Sequence, residues 1–166
     1  MSDKKKPGWF DHPALSLLLA AVWLLLQQSA DPANLIFATL LGIGVPRLVH
    51  GFLGPALHPR GLLRLLRFIG IVLYDIIVSN VAVARIVLSP TRQPHPAWVP
   101  VQLELRHPGA VTLLAAIITT TPGTVSCVVD DEAHCILVHA LDCQDPAALA
   151  AEIKARYEVT LRELFE

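Results

Sequence analysis

The sequence predicts a membrane part built of α-helices, a hairpin plus a third helix, followed by a small α/β (α+β) domain with a few strands and a C-terminal amphipathic helix. Three observations predict it. Charged residues make up only 16% of the chain, and the apolar runs 14–28, 35–50 and 68–88 crowd into its first half, where a globule of this size could not bury them. After Ser89-Pro90 the composition turns to that of a soluble domain. Residues 97–166 then carry strand-like alternation and a helical apolar stripe. The expected organisation is a basic extension over 1–13, a membrane domain over 14–90 and a soluble domain over 97–166.

In order, Lys4, Lys5 and Lys6 precede the first apolar run, which resembles a signal peptide's charged start and apolar core. No small-residue cleavage site of the A-x-A kind follows, so an uncleaved first helix is expected. The second run begins after Asp31-Pro32, a helix-start signal, and Pro46 is expected to bend its far end. Both runs are short for a full span and suit a tight hairpin. Gly42-x-Gly44 inside the second run reads as a close helix-packing surface rather than a nucleotide loop. The connector 47–67 holds Arg47, Arg60, Arg64 and Arg67 among Gly51, Gly54, Pro55, Pro59 and Gly61. The positive-inside rule puts it and the lysines in the cytoplasm.

The third run, FIGIVLYDIIVSNVAVARIVL, has the length of roughly 30 Å of hydrocarbon core. Asp75, Asn80 and Arg85 interrupt it, and an ionisable group at mid-bilayer requires a partner, a cavity or another subunit. On an ideal wheel the three point in different directions, which speaks against a simple surface-lying amphipathic helix. Asp75 is the candidate for an ion or proton path or an inter-subunit polar contact; the alternative is a buried carboxylate bonded to a neighbouring helix. Arg85 reads as a snorkelling side chain. Arg60, Arg64 and Arg67 share one side of the start of this helix and are candidate lipid-headgroup contacts. A full third span would put the domain outside, whereas unpaired cysteines favour the inner side; a tilted or partly interfacial helix would remove that conflict.

In the domain, VPVQLELR (99–106) alternates and predicts a half-buried strand. VTLLAAII (111–118) reads as a helix, with a strand left open by its length. Pro122-Gly123 predicts a turn, and 124–129 with 135–140 a hairpin around the Asp-rich loop 130–134. Asp145 as cap and Pro146 at the first position start the last helix. Along it Leu149, Ile153, Tyr157, Leu161 and Leu164 share one face. Glu152 with Arg156, and Glu158 with Arg162, are spaced as solvated surface pairs worth a few tenths of a kcal/mol.

No constellation of a nucleophile with a base, a phosphate loop or paired carboxylates stands at useful spacing. His139 and Asp142 are neighbours near a strand end, where a structural histidine is the default. Cys127, Cys135 and Cys143, with His134 or His139, lack the close ligand pairs of a zinc site. A net charge of −1 leaves no basic footprint for nucleic acid. No cofactor is expected.

Four stretches, LLLAAVWLLLQ, SNVAVARIVLSP, TLLAAIITTTPGTVS and LVHALD, stand in an order and spacing that resemble the E-type subunit of the multisubunit, Mrp-type sodium/proton antiporters of bacteria along nearly the whole length. The block Thr121-Pro122-Gly123-Thr124 with the following VHALD is the most specific part; residues 1–12 lie outside the match. The resemblance implies a complex of several membrane subunits that exchanges sodium, or in some cases potassium, for protons. In it the large subunits carry the ion paths and the E-type subunit serves assembly or activity. The expected partners are those other subunits and membrane lipid. The expected place is the bacterial inner membrane, multi-pass, with the C-terminal domain in the cytoplasm. A stand-alone membrane-anchored docking module is the second reading, and an enzyme using His139 and Asp142 the third.

Overall fold

A computed structural model describes residues 13–49 and 59–166; Lys4 to Lys6 and the connector glycines Gly51 and Gly54 lie outside the described residues. The chain divides into two compact units, 1–56 and 57–166.

The first unit holds α1 (Pro13–Gln27) and α2 (Pro32–Leu48). Asp31 caps α2, its Oδ1 accepting from the Asn34 amide at 2.8 Å, because the first helical N–H groups have no partner within the helix. The two helices run in opposite directions side by side. Gly42 sits so close to α1 that a Cβ there would lie 2.8 Å from the Ser16 carbonyl oxygen, whereas Gly44 has open space. Trp23 and Phe37 pack with ring centroids 6.0 Å apart. At 15 and 17 residues each helix falls short of about 30 Å. Among the described helices only α3 (Leu62–Leu88) is long and apolar enough to cross a membrane by length and composition.

α3 opens the second unit and starts six residues earlier than the run 68–88 suggested, just after Gly61, whose φ of +88° suits glycine. Next come β1 (Ala97–Gln102), α4 (Pro108–Thr120), β2 (Thr124–Asp130) and β3 (Cys135–Ala140). The sheet is antiparallel in the order β1-β3-β2, so β1-α4-β2 is a split βαβ with β3 inserted between its strands. Val99 faces Val138 and Val101 faces Ile136, and all four are fully buried. With Leu114 and Ile118 of α4, they form the core on one side of the sheet. β1 stops at Gln102 instead of running to Arg106. The amides of Glu104 and Leu105 leave the ladder and donate to the Glu158 carboxylate.

The last helix is a continuous rod in three parts: α5 (Pro146–Ile153), a π turn over Lys154–Glu158, and α6 (Val159–Phe165). In the π turn the Val159 N–H reaches back five residues to the Lys154 carbonyl. Asp145 caps the start of the rod through the amides of Ala147 and Ala148, both at 3.0 Å. Ile153, Tyr157, Leu161 and Leu164 are buried on one face, as the stripe predicts.

Both surface pairs expected on this helix are corrected. Glu158 is only 2% exposed, since two backbone donors of the departing β1 strand hold its carboxylate inside. Lys154 Nζ approaches the same carboxylate at 3.8 Å. Arg162 pairs with Glu104, and Arg156 turns to α3 rather than to Glu152. The spacing rule for paired charges counts only neighbours on one helix, and here partners from other elements win.

Candidate functional site

The side chains with the most chemical character meet where α3 lies against the π turn. Asp75 is 9% exposed on α3. Arg156 grips it with both arms of the guanidinium, Nε donating to Oδ2 at 2.6 Å and Nη2 to Oδ1. The Tyr157 hydroxyl donates to Oδ2 at 2.9 Å. A planar guanidinium matches a carboxylate in this two-bonded way. Arg156 and Tyr157 are consecutive, so on a regular helix they would diverge by about 100°. The π turn widens the rod at the place where both converge on one carboxylate, a use typical of such bulges. Burial, and then the bond to Asp75, push the Tyr157 hydroxyl up to about 12; it stays a donor. Phe68, two turns nearer the start of α3, meets the Tyr157 ring edge-on at 6.5 Å.

Beside this junction is a cleft of about 340 Å³ lined by Tyr74, Val78 and Ser79 of α3, by Thr121 and Pro122, and by Glu152. The turn Thr121 to Thr124 forms its far wall. Thr124 Oγ1 donates to the Ile118 carbonyl at 2.8 Å and Thr121 Oγ1 to that of Ile117 at 2.8 Å, which locks the turn onto the end of α4. Gly123 has φ +93°, and a Cβ there would sit 3.2 Å from Val83 Cγ2 of α3. The most specific block of the sequence is thus a turn moulded to the helix it touches.

Other sequence candidates separate. Arg60 and Arg64 reach the far end of the rod: the Arg60 amide donates to the Leu164 carbonyl at 2.8 Å and its guanidinium to that of Glu166, while Arg64 donates to the Glu163 carbonyl at 3.3 Å. Cations at the end of α6 satisfy free carbonyls and complement the helix dipole. Arg67 and Arg85 are exposed, with no hydrogen bond or ion pair among the described residues. Asn80 donates to the carbonyl of Ile76 at 2.7 Å. His139 stacks edge-on against Trp98 at 4.9 Å. Asp142 instead accepts from the His95 amide and from Arg92, the backbone amide foremost holding its carboxyl below the usual range. His139 and Asp142 therefore serve different contacts. No three His, Cys, Asp or Glu gather into a metal-sized cluster among the described residues.

Asp75 itself stood out in the sequence, but its partners did not. Arg156 and Tyr157 lie 81 and 82 residues away, and Arg156 had a nearer acid, Glu152, at helical spacing. Oδ2 of Asp75 accepts two of these bonds and Oδ1 the third, so the junction ties α3 to the last helix while the carboxylate also borders the cleft.

A model of the family described as Na+/H+ ion antiporter subunit, MNHE, matches residues 16–164. The chain is 36% identical over 162 residues to the probable E-type subunit of the K+/H+ antiporter of Rhizobium meliloti, covering 95% of this chain and 98% of that protein. It is 27% identical to the E-type subunit of the Na+/H+ antiporter of Alkalihalophilus pseudofirmus, over 90% of this chain and 95% of that one. Among solved structures, a chain of the membrane-bound sulfane sulfur reductase, an archaeal respiratory membrane complex, superposes with a TM-score of 0.69. It is 29% identical, with 90% of this chain and 96% of that chain covered.

Proposed function

The chain belongs to the Na+/H+ ion antiporter subunit family MNHE, and from that premise we propose that it is an accessory subunit that helps assemble and sustain exchange by a multisubunit monovalent cation/proton antiporter in the cell membrane. The match over 16–164 carries this reading, since it spans the apolar helices and the α/β domain alike. The relatives are named for both K+/H+ and Na+/H+ exchange, so the cargo is a monovalent cation exchanged for protons.

In this reading α1 and α2 form the membrane hairpin, with the glycine contact at Gly42 as their close-packed seam. The domain lies on the cytoplasmic side. The arginine-rich connector after α2 supports that side, as do three cysteines that are all free thiols. Asp75 acts as an internal clamp: both carboxylate oxygens are engaged by Arg156 and Tyr157, and its negative charge is matched by the guanidinium. The subunit then contributes a rigid platform rather than an ion path.

The test is purification of the tagged chain from native membranes in mild detergent, together with exchange assays on everted vesicles. Large polytopic membrane proteins should co-purify, and deletion of the chain should abolish or strongly reduce cation/proton exchange. A chain that purifies alone while exchange persists in its absence would sink the proposal.

A further inference from the structure

The sides of α3 are used unequally. Along one, the domain is packed from end to end: Arg64 bonds to Glu163, Phe68 and Asp75 to Tyr157, Val83 abuts Gly123 and Ile86 lines a second cleft with Asp142. From Arg64 to Ile86 is roughly 33 Å of helix at 1.5 Å per residue, as long as the hydrocarbon core is thick, about 30 Å. If α3 crossed the bilayer, the domain strapped along it would be carried into the hydrocarbon. Exposed Glu104, Arg162, Arg92 and Glu152 would go with it, each a charge taken out of water.

The opposite arc of α3 is apolar and uncovered among the described residues. Leu63, Leu66, Leu73, Ile77 and Leu88 are each more than half exposed. Of the three polar residues that interrupt the helix, Asp75 is turned into the domain, while Asn80, exposed at the edge of the arc beside Leu73, donates its side-chain amide back to its own helix. Arg85 falls on the same side as Arg67, about five turns away at 3.6 residues per turn, at the border of the arc. Long basic side chains at such a border keep their stems in apolar surroundings and their charges at the phosphates.

We propose that α3 lies in the plane of the membrane, its apolar arc sunk to the acyl boundary of an anionic phospholipid leaflet and Arg67 and Arg85 at the headgroups, carrying the α/β domain on its other side. An apolar arc bordered by exposed arginines is complementary to that surface. α3 also begins after only residues 49–61 beyond the end of the apolar helix α2, which keeps it within reach of a bilayer. The proposal rests on the antiporter-subunit reading for its choice of membrane, but its test reads depth and not assembly.

The test is nitroxide scanning of the full chain in its complex, in liposomes containing phosphatidylglycerol, with Cys127, Cys135 and Cys143 replaced by serine. Single labels go at Leu63→Cys, Leu66→Cys, Ile77→Cys, Val81→Cys and Leu88→Cys, all exposed positions whose replacement leaves the packing intact. Collision with oxygen against a water-soluble nickel chelate gives depth. All five should sit at one shallow depth, with a label at Val78→Cys, on the arginine side, nearer the phosphates. A depth that climbs to a maximum near Ile77 and falls again would mean a crossing and overturn the proposal. Labels shielded from both collision partners would mean that another subunit covers the arc, which overturns it too. Co-purification of the complex reports separately on the subunit reading.

Discussion

At Asp75 the balance of forces is local and measurable. The Arg156 side chain is 38% exposed and that of Asp75 11%, so the pair stands between a screened surface bridge and a fully desolvated one, and removal of either partner is expected to cost about 2 kcal/mol. Asp75→Asn and Arg156→Gln should each lower the thermal midpoint of the purified chain, and the double variant should lose less than the sum. Strict additivity would mean that the bidentate contact contributes nothing. Tyr157 supplies a pH signature. Free tyrosine ionises near 10, whereas Tyr157 holds its proton to about 12 because burial, first, and Asp75, second, oppose the phenolate. Its folded value is raised, so its stabilising share is complete below about pH 10 and disappears as pH climbs toward about 12. The chain has two tyrosines, and tyrosinate difference spectra should show a phase near 12 that Tyr157→Phe removes. Persistence of that phase in the variant would assign it elsewhere.

Among the elements, the turn between α4 and β2 and the π turn do the joining. Gly123 is constrained twice, by a φ of +93° and by Val83 at 3.2 Å. Gly123→Ala is expected to destabilise by about 1–2 kcal/mol from backbone strain alone, with the contact added to it. Val83→Ala opens the space but leaves the φ unchanged, so the double variant should recover only part of the loss in a denaturant titration. Full recovery would make the close contact the whole reason for the glycine. The π turn has a comparable logic. Glu158 satisfies the two amides released where β1 ends, and the adjacent Arg156 and Tyr157 take the carboxylate of α3. One widened turn thereby ties the rod to the sheet on one side and to α3 on the other.

For the whole molecule, the consequence is topological. Under the proposed in-plane placement of α3, a domain fastened to it by Arg64, Asp75 and Gly123 stays with it on one side of the membrane. Cys127 is exposed and Cys135 and Cys143 half-buried, which provides natural reporters. A membrane-impermeant thiol reagent should label Cys127 only after intact cells are permeabilised, with the other two following on mild unfolding. Labelling in intact cells would put the domain outside and would require α3 to cross.

Much of this architecture is written along the chain. Helix and strand periods, the caps Asp31 and Asp145, the turn at Pro122-Gly123 and the apolar stripe of the last helix are all local patterns, set by backbone sterics and by burial with periods of about 3.6 and 2. The four blocks in order were enough to point to the antiporter-subunit family. The sequence also singled out Asp75, because a carboxylate in an apolar helix must have a partner. It did not say which partner. That choice, like the burial of Glu158, the early end of β1 and the use of Arg60 and Arg64 to close α6, depends on residues far apart along the chain. Pairing rules along one helix favour the near neighbour, but tertiary packing removes water from the distant pair and thereby makes it the stronger one. The polar residues of α3 scatter on an ideal wheel; only the folded domain, by taking Asp75 to itself, decides which side of the helix is covered and which apolar arc is left exposed.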